Sequence, residues 1–367
     1  MPAVRSFRQN DRNTTPHAVP YPMTPLGPQA ALRALPRAEL HLHLEGTIEP
    51  ATVVELAARH GDALTEAEAL ARYRYSDFRG FLDAFKWVTS YLREPADFAL
   101  ITRRMAEKLI SQNVVYAEVF VAAGILLYRR QDVEANFRAI HDAGEEAQKQ
   151  GLRLRWIFDA TRQFGPDAAM DVARWAARLK DDGVVAFGIG GDELSIPARE
   201  FRAVYEYVAA QGLHRHIHAG EVGGPQSVRD AINFLEVERV GHGIGVMHDP
   251  ALIDSLVSSQ LPLEICPTSN LFTGALARQR NNPGAQLEDH PLRELYRRGL
   301  MITLASDDPA MFHTSLDAEY DAGLRLGLTL DEMVHIAAWG FVAAFLPSEE
   351  KTALLHAFHS KREALGL

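Results

Sequence analysis

Val114-Val115-Tyr116-Ala117-Glu118-Val119-Phe120-Val121 is apolar at nearly every position. A strand with one wet face alternates. An unbroken β-branched and aromatic run suits a strand covered on both faces, as in parallel sheets. Seven other short runs punctuate the chain, at Ala38–Leu44, Leu152–Phe158, Val184–Ile189, Arg215–His218, Arg239–Val240, Leu261–Cys266 and Met301–Ala305. Helical spacing lies between them. Val133, Phe137 and Ile140 fall on one helix face, with Gly151 as a stop. Phe201, Val204, Tyr205 and Val208 repeat the pattern before Gly212. Val228, Ala231, Ile232 and Leu235 do so again, as do Leu252, Ile253, Leu256 and Val257. Eight strands alternating with helices predict an α/β fold, a (β/α)8 TIM barrel.

One connection is too long for a simple crossover. The stretch between the first two strands, about residues 47–113, carries helical patterns such as Phe81, Leu82, Phe85 and Val88, then Phe98, Ile101, Met105 and Leu109. An insertion there lies at the catalytic face of a barrel, as a lid or a wall, although any single aromatic in it is better read as packing. From Leu330 onward Met333, Ile336, Ala337 and Phe341 predict packed C-terminal helices. Residues 1–28 are Pro-rich and lack apolar periodicity, so they read as an extended or poorly ordered arm. Residues 29–367 then form one barrel domain.

The formal net charge of −10 argues against a nucleic-acid or membrane-surface partner. The single cysteine, Cys266, excludes an internal disulfide and a thiolate cluster. No apolar run is long enough to span a membrane, and no signal pattern opens the chain, which leaves the cytoplasm as the default compartment. The oligomeric state is not legible, and a homodimer stays open.

The chemistry collects at the predicted C-terminal ends of strands, where barrel enzymes place their sites. In Glu39-Leu40-His41-Leu42-His43-Leu44-Glu45-Gly46 the two histidines are spaced i and i+2, so a strand projects both from one face. The fifth strand ends in His218-Ala219-Gly220-Glu221, the sixth in Gly241-His242-Gly243, and the eighth in Ser306-Asp307-Asp308-Pro309. Each has a bland reading: a satisfied histidine, a tight glycine loop, an Asp-Asp-Pro turn. Four polar clusters converging on one barrel mouth are harder to dismiss. Three histidines and an aspartate are a ligand set that Zn²⁺ accepts while leaving room for water.

These motifs, with Gly190-Gly191-Asp192-Glu193 and Cys266-Pro267-Thr268-Ser269-Asn270, resemble in kind and order the adenosine deaminase family of the amidohydrolase superfamily. The resemblance implies one Zn²⁺ held by His41, His43, His218 and Asp307. It implies Glu221 as the acid that protonates purine N1 and His242 beside the zinc-activated water. Asp308 would be an acceptor at N7, and the Gly191 N–H would meet N3. His43 and Glu45 would also touch substrate, and Glu264 would support the ligands from behind. The other zinc deaminases use His-x-Glu with Pro-Cys-x-x-Cys, which one cysteine rules out.

Departures from the family pattern bear on the substrate. Glu45 stands where many adenosine deaminases have Asp, and Phe120 where they tend to have Arg; the family's adenine deaminases resemble the chain at both places. Val222-Gly223-Gly224-Pro225 and the run from Asp308 to Leu316 are closer to the nucleoside enzymes. Phe85-Lys86-Trp87-Val88-Thr89 resembles members that deaminate 6-aminodeoxyfutalosine, a nucleoside with a benzoate on its 5′ side. The resulting expectation is adenosine or 2′-deoxyadenosine first, giving inosine or 2′-deoxyinosine and ammonia. 6-Aminodeoxyfutalosine comes next, then adenine. AMP stays open through Arg72, Arg74 and Arg79, which are more simply read as solvated. A ring-opening amidohydrolase would usually need a bridging lysine where Gly190–Glu193 stands. A silent purine-binding relative would be expected to have lost a ligand or the acid, and none is lost.

Overall fold

A computed structural model describes residues 26–75 and 78–367. Most of the expected N-terminal arm lies outside the described residues. Eight strands follow in order: β1 (Arg37–His43), β2 (Val114–Val121), β3 (Arg153–Thr161), β4 (Val184–Gly190), β5 (His214–Ala219), β6 (Arg239–His242), β7 (Leu263–Ile265) and β8 (Ile302–Leu304). Each pairs in parallel with the next, and their sequence order is their spatial order. The expected (β/α)8 barrel is the fold. β7 and β8 are shorter than expected. Ladder bonds nevertheless run past their ends, since Leu263 N–H donates to the Met301 carbonyl and Ala305 N–H to that of Ile265.

The ring closes through an isolated bridge between Leu42 and Asp307. Asp307 N–H donates to the His41 carbonyl at 3.0 Å, and His43 N–H donates to the Asp307 carbonyl at 2.9 Å. Just before it, Ser306 N–H and Oγ both donate to the Glu39 carboxylate. Asp307 adopts φ +63°, a conformation uncommon for a residue with a side chain.

The long connection resolves into two parts. Helices Pro50–Arg59, Glu66–Arg72 and Phe78–Thr89 form the insertion. The fourth helix, Pro95–Ser111, packs on β2 and against Val133–Gln148, so it is the ordinary crossover helix of the outer ring. Its Phe98, Ile101, Met105 and Leu109 are buried in the main core. Periodicity could not separate the two parts, because insertion and crossover bury the same apolar stripe. The tail behaves as expected. Leu330–Ala343 packs on β1 and β8, and Ser348–Ala364 packs on it in turn.

At the opposite end from the loop-borne polar clusters, Arg239 is buried with two acids. Its guanidinium donates to Glu118 and to the Ala343 carbonyl, lies beside Glu264, and stacks 3.6 Å from the centre of the Phe345 ring. Glu118 also accepts from Tyr116 Oη and the Phe345 N–H. One cation thus ties β2, β6, β7 and the chain after Leu330–Ala343. Removing one partner of a buried ion pair strands the other charge, at a cost of about 3–5 kcal/mol. Arg239→Met should therefore lower the unfolding free energy by an amount in that range, read as a lower urea midpoint. An unchanged midpoint would show that the cluster adds nothing to stability.

Candidate metal and catalytic centre

The strand alternation that predicted one shared face for His41 and His43 places both at the barrel mouth, joined by His218 from β5 and Asp307 after β8. The donor atoms converge. His43 Nε2 lies 3.2 Å from His218 Nε2 and 3.3 Å from Asp307 Oδ1, and His41 Nε2 lies 3.5 Å from the same oxygen. Ligand atoms around a tetrahedral ion held at about 2.0–2.1 Å stand about 3.3 Å apart. His41 Nε2 is buried and makes no hydrogen bond. The donor set and its orphaned nitrogen therefore fit a divalent ion of the zinc type. His242 also comes near, with Nε2 3.9 Å from Asp307 Oδ2. By distance alone His41, His218, His242 and Asp307 form a ligand group as well.

The hydrogen bonds behind the histidines aim their free nitrogens inward. His41 Nδ1–H donates to Glu264 at 2.6 Å, and His218 Nδ1–H donates to the Ile189 carbonyl at 3.1 Å. Burial pushes His43 down to about 3 and holds His218 well below its usual value, so both rings keep lone pairs to give. Burial also works against a charge on His41. There the carboxylates of Asp307 and Glu264 more than offset it and raise the ring to about 10. A proton or a cation at Nε2 satisfies the same demand. Burial opposes ionisation of Asp307 too, yet the His41 contact and the surrounding imidazoles keep its carboxyl well below the usual range. Ser269 Oγ donates to its second oxygen at 2.6 Å.

Glu221 sits beside this cluster, its Oε2 3.8 Å from His242 Nε2. Burial raises its pKa, with the Asp307 charge adding to the shift. Its position is set from three sides. Thr273 Oγ1 donates to its Oε1 at 3.1 Å, and Gln279 donates to its carbonyl at 2.7 Å. Glu193 accepts from the N–H groups of Gly220, Val222 and Gly223, which ties the loop carrying Glu221 to the end of β4. Asp308 is buried with Oδ1 unpaired, and burial and the neighbouring Asp307 push its carboxyl well up. Gly46 leaves it room: a Cβ there would stand 2.0 Å from that oxygen. Gly191, at φ +93°, lines a cavity of about 310 Å³ with Leu194, Glu221, Thr273 and Arg278.

Glu45 is placed differently from a residue lining that cavity. It is buried, and its carboxylate accepts from the Ala122 N–H at 3.1 Å. Burial raises it to about 7. Arg72 lies over the Trp87 ring within the insertion, at 5.5 Å. Some residues, or the contacts they make at the site, escaped the sequence reading. His216, two positions before His218, donates to Glu264 at 2.8 Å, and the same i, i+2 rule applied to β5 would have found it. Phe120 stacks on His43 at 4.8 Å and packs against His41 and His216. Asn270, the last residue of the quoted Cys266-Pro267-Thr268-Ser269-Asn270 motif, reaches His242, and His290, which gave no local signal, reaches Asn270.

Known proteins share this fold and much of this sequence. Residues 36–361 match the family described as Adenosine deaminase. An aminodeoxyfutalosine deaminase of Streptomyces coelicolor is 38% identical over 96% of this chain and 90% of its own. A crystal structure of an adenine deaminase from Arthrobacter aurescens superposes with a TM-score of 0.81 at 30% identity, covering 89% of this chain and 98% of that one. An amidohydrolase from Burkholderia ambifaria, solved with bound Zn, gives a TM-score of 0.83 at 26% identity over 95% and 96% of the two chains. No helix among the described residues is long and apolar enough to cross a membrane. The match over nearly the whole barrel, on a site whose donors already converge, shows that the chain belongs to the adenosine deaminase family.

Proposed function

We propose that this deaminase acts on 6-aminodeoxyfutalosine, converting its 6-aminopurine to a 6-oxopurine with release of ammonia. The observation that carries the deaminase reading is the convergence of His41, His43, His218 and Asp307 next to the largely buried acid Glu221. The ranking of substrates departs from the sequence expectation, which put adenosine first. Relatives at 36–38% identity are named for aminodeoxyfutalosine and for adenine. The mouth of the cavity supports the larger substrate. Leu194 is exposed there, and among the described residues Arg278 makes no ion pair or side-chain hydrogen bond. Leu194 and Val222 with the Arg278 cation suit an aryl group ending in a carboxylate, in a cavity that Asp192 and Glu193 also line. Adenine is the second reading, because relatives of this kind carry its name.

One Zn²⁺ would be held by His41, His43, His218 and Asp307, and would lower the pKa of a bound water from 15.7 to about 7. The protein's own groups do the rest. Glu221, whose pKa burial raises, gives its proton to N1 when in the acid form, so that ring density has somewhere to go as C6 is attacked. N7 of a neutral 6-aminopurine has a lone pair and no hydrogen, so it needs a donor. Asp308, held as the acid by burial and by Asp307, supplies one; we assign it as a donor rather than the acceptor expected from sequence. The Gly191 N–H serves N3, and Glu264 orients His41 from behind.

Four measurements test this. Glu221→Gln should retain the metal and lose about 10²-fold or more in kcat. The wild-type rate should fall as pH rises through the raised Glu221 pKa, because the working form is the protonated one. Near-normal turnover in Glu221→Gln would remove this residue from the mechanism. For the substrate, kcat/KM should favour 6-aminodeoxyfutalosine over adenine and adenosine, with a preference for adenine moving the assignment to the second reading. Chelation should lower the thermal midpoint, and Zn²⁺ at about a hundred times its Kd should restore about 2.7 kcal/mol. No metal-dependent shift would overturn the metal site.

A further inference from the structure

His242 stands 3.8 Å from Glu221 and 3.9 Å from Asp307 through the same nitrogen, Nε2. Whether that nitrogen carries a hydrogen decides what it can do. Behind the ring, three hydrogen bonds run in series. Leu292 N–H points at His290 Nδ1 at 3.1 Å, His290 Nε2 lies 3.2 Å from Asn270 Oδ1, and Asn270 Nδ2 lies 3.1 Å from His242 Nδ1. All three side chains are buried, Asn270 completely.

A backbone N–H donates and never accepts, so the first bond has one polarity. It makes His290 Nδ1 an acceptor, and the hydrogen of the neutral ring then sits on Nε2. Burial holds His290 neutral, at about 3. Nε2–H must meet an oxygen, which orients the Asn270 amide with its NH₂ toward His242. A flipped amide would oppose two donors. That NH₂ requires an acceptor, so His242 Nδ1 is bare.

We infer that His290 and Asn270 are positioning residues that hold His242 in the Nε2–H tautomer, so that it faces the reacting centre as a hydrogen-bond donor and not as a metal ligand. This separates the two ligand groups that distance leaves open. To coordinate through Nε2, His242 would need its hydrogen on Nδ1, where Asn270 already points one. His43, whose Nε2 lies 3.2 Å from His218 Nε2 and, at 3.3 Å, nearer Asp307 than His242 does, takes the fourth place. The inference about catalysis rests on the proposed deaminase mechanism, whereas the tautomer does not.

The test is ¹⁵N spectroscopy of ring-labelled histidine in the metal-free and zinc-loaded protein, with the His242 signals assigned by their loss in His242→Gln. Wild type should show the Nε2–H tautomer in both forms. Asn270→Asp, which puts an acceptor oxygen opposite Nδ1, should convert His242 to Nδ1–H and lower kcat by about tenfold or more, with KM changed less than about threefold. His290→Gln, whose amide can still donate to Asn270, should keep the wild-type tautomer; His290→Phe should give a mixture. An Nδ1–H signal in wild type, or an unchanged tautomer in both Asn270→Asp and His290→Phe, would overturn the inference. Correct tautomers in a protein that deaminates no 6-aminopurine would instead count against the proposed function alone.

Discussion

The barrel closes on Asp307. Its backbone supplies both hydrogen bonds that join the last strand to the first, one to His41 and one from His43. Its side chain faces the same two residues' imidazoles. Closure and ligand spacing are therefore one constraint. A register slip between β1 and β8 would open the ring and disperse the donors together. The positive φ of Asp307 is the local cost of this arrangement, as strained residues at functional sites commonly are. Fixing the ligands by main-chain pairing also means that little ordering entropy is left to lose when a cation binds.

A second constraint is charge balance. Four imidazoles crowd the mouth, and like charges there would repel. Burial keeps His43, His216 and His218 neutral, while Glu264 stays ionised although buried, because His216, Arg239 and His41 all face it. The Arg239 cluster that ties the far end of the barrel together thus also sets the charge of the carboxylate that aims His41. Stability and site chemistry share a residue, so a substitution at Arg239 acts on both.

What could be read from sequence follows the range of the interaction. His41 and His43 were legible because a strand's two-residue period is local. His218, Glu221, His242 and Asp307 were legible because strand ends in a barrel converge. The boundary between insertion and crossover was not, since Phe98 to Leu109 bury the same kind of stripe in either role. For Glu45, chain position marks a substrate contact, and only the fold shows how the carboxylate is held: one oxygen accepts from the Ala122 N–H, 77 residues away, and the other is buried without a partner. Asn270 and His290 lie 20 residues apart, with a short helix at Ala275–Gln279 between them, so no single period relates the two.

The polarity of hydrogen bonds joins these observations. Ile189 offers a carbonyl, so His218 presents a bare Nε2. Glu264 offers a carboxylate, so His41 does the same. Leu292 offers an N–H, and two side chains later His242 presents a hydrogen instead. His41, His218 and His242 are thereby sorted into ligands and donor by what stands behind them, while His43 is placed by its distances to His218 and Asp307. A site built this way tolerates small shifts in spacing better than it tolerates exchanging an acceptor for a donor. Its most sensitive positions therefore include residues that touch neither metal nor substrate.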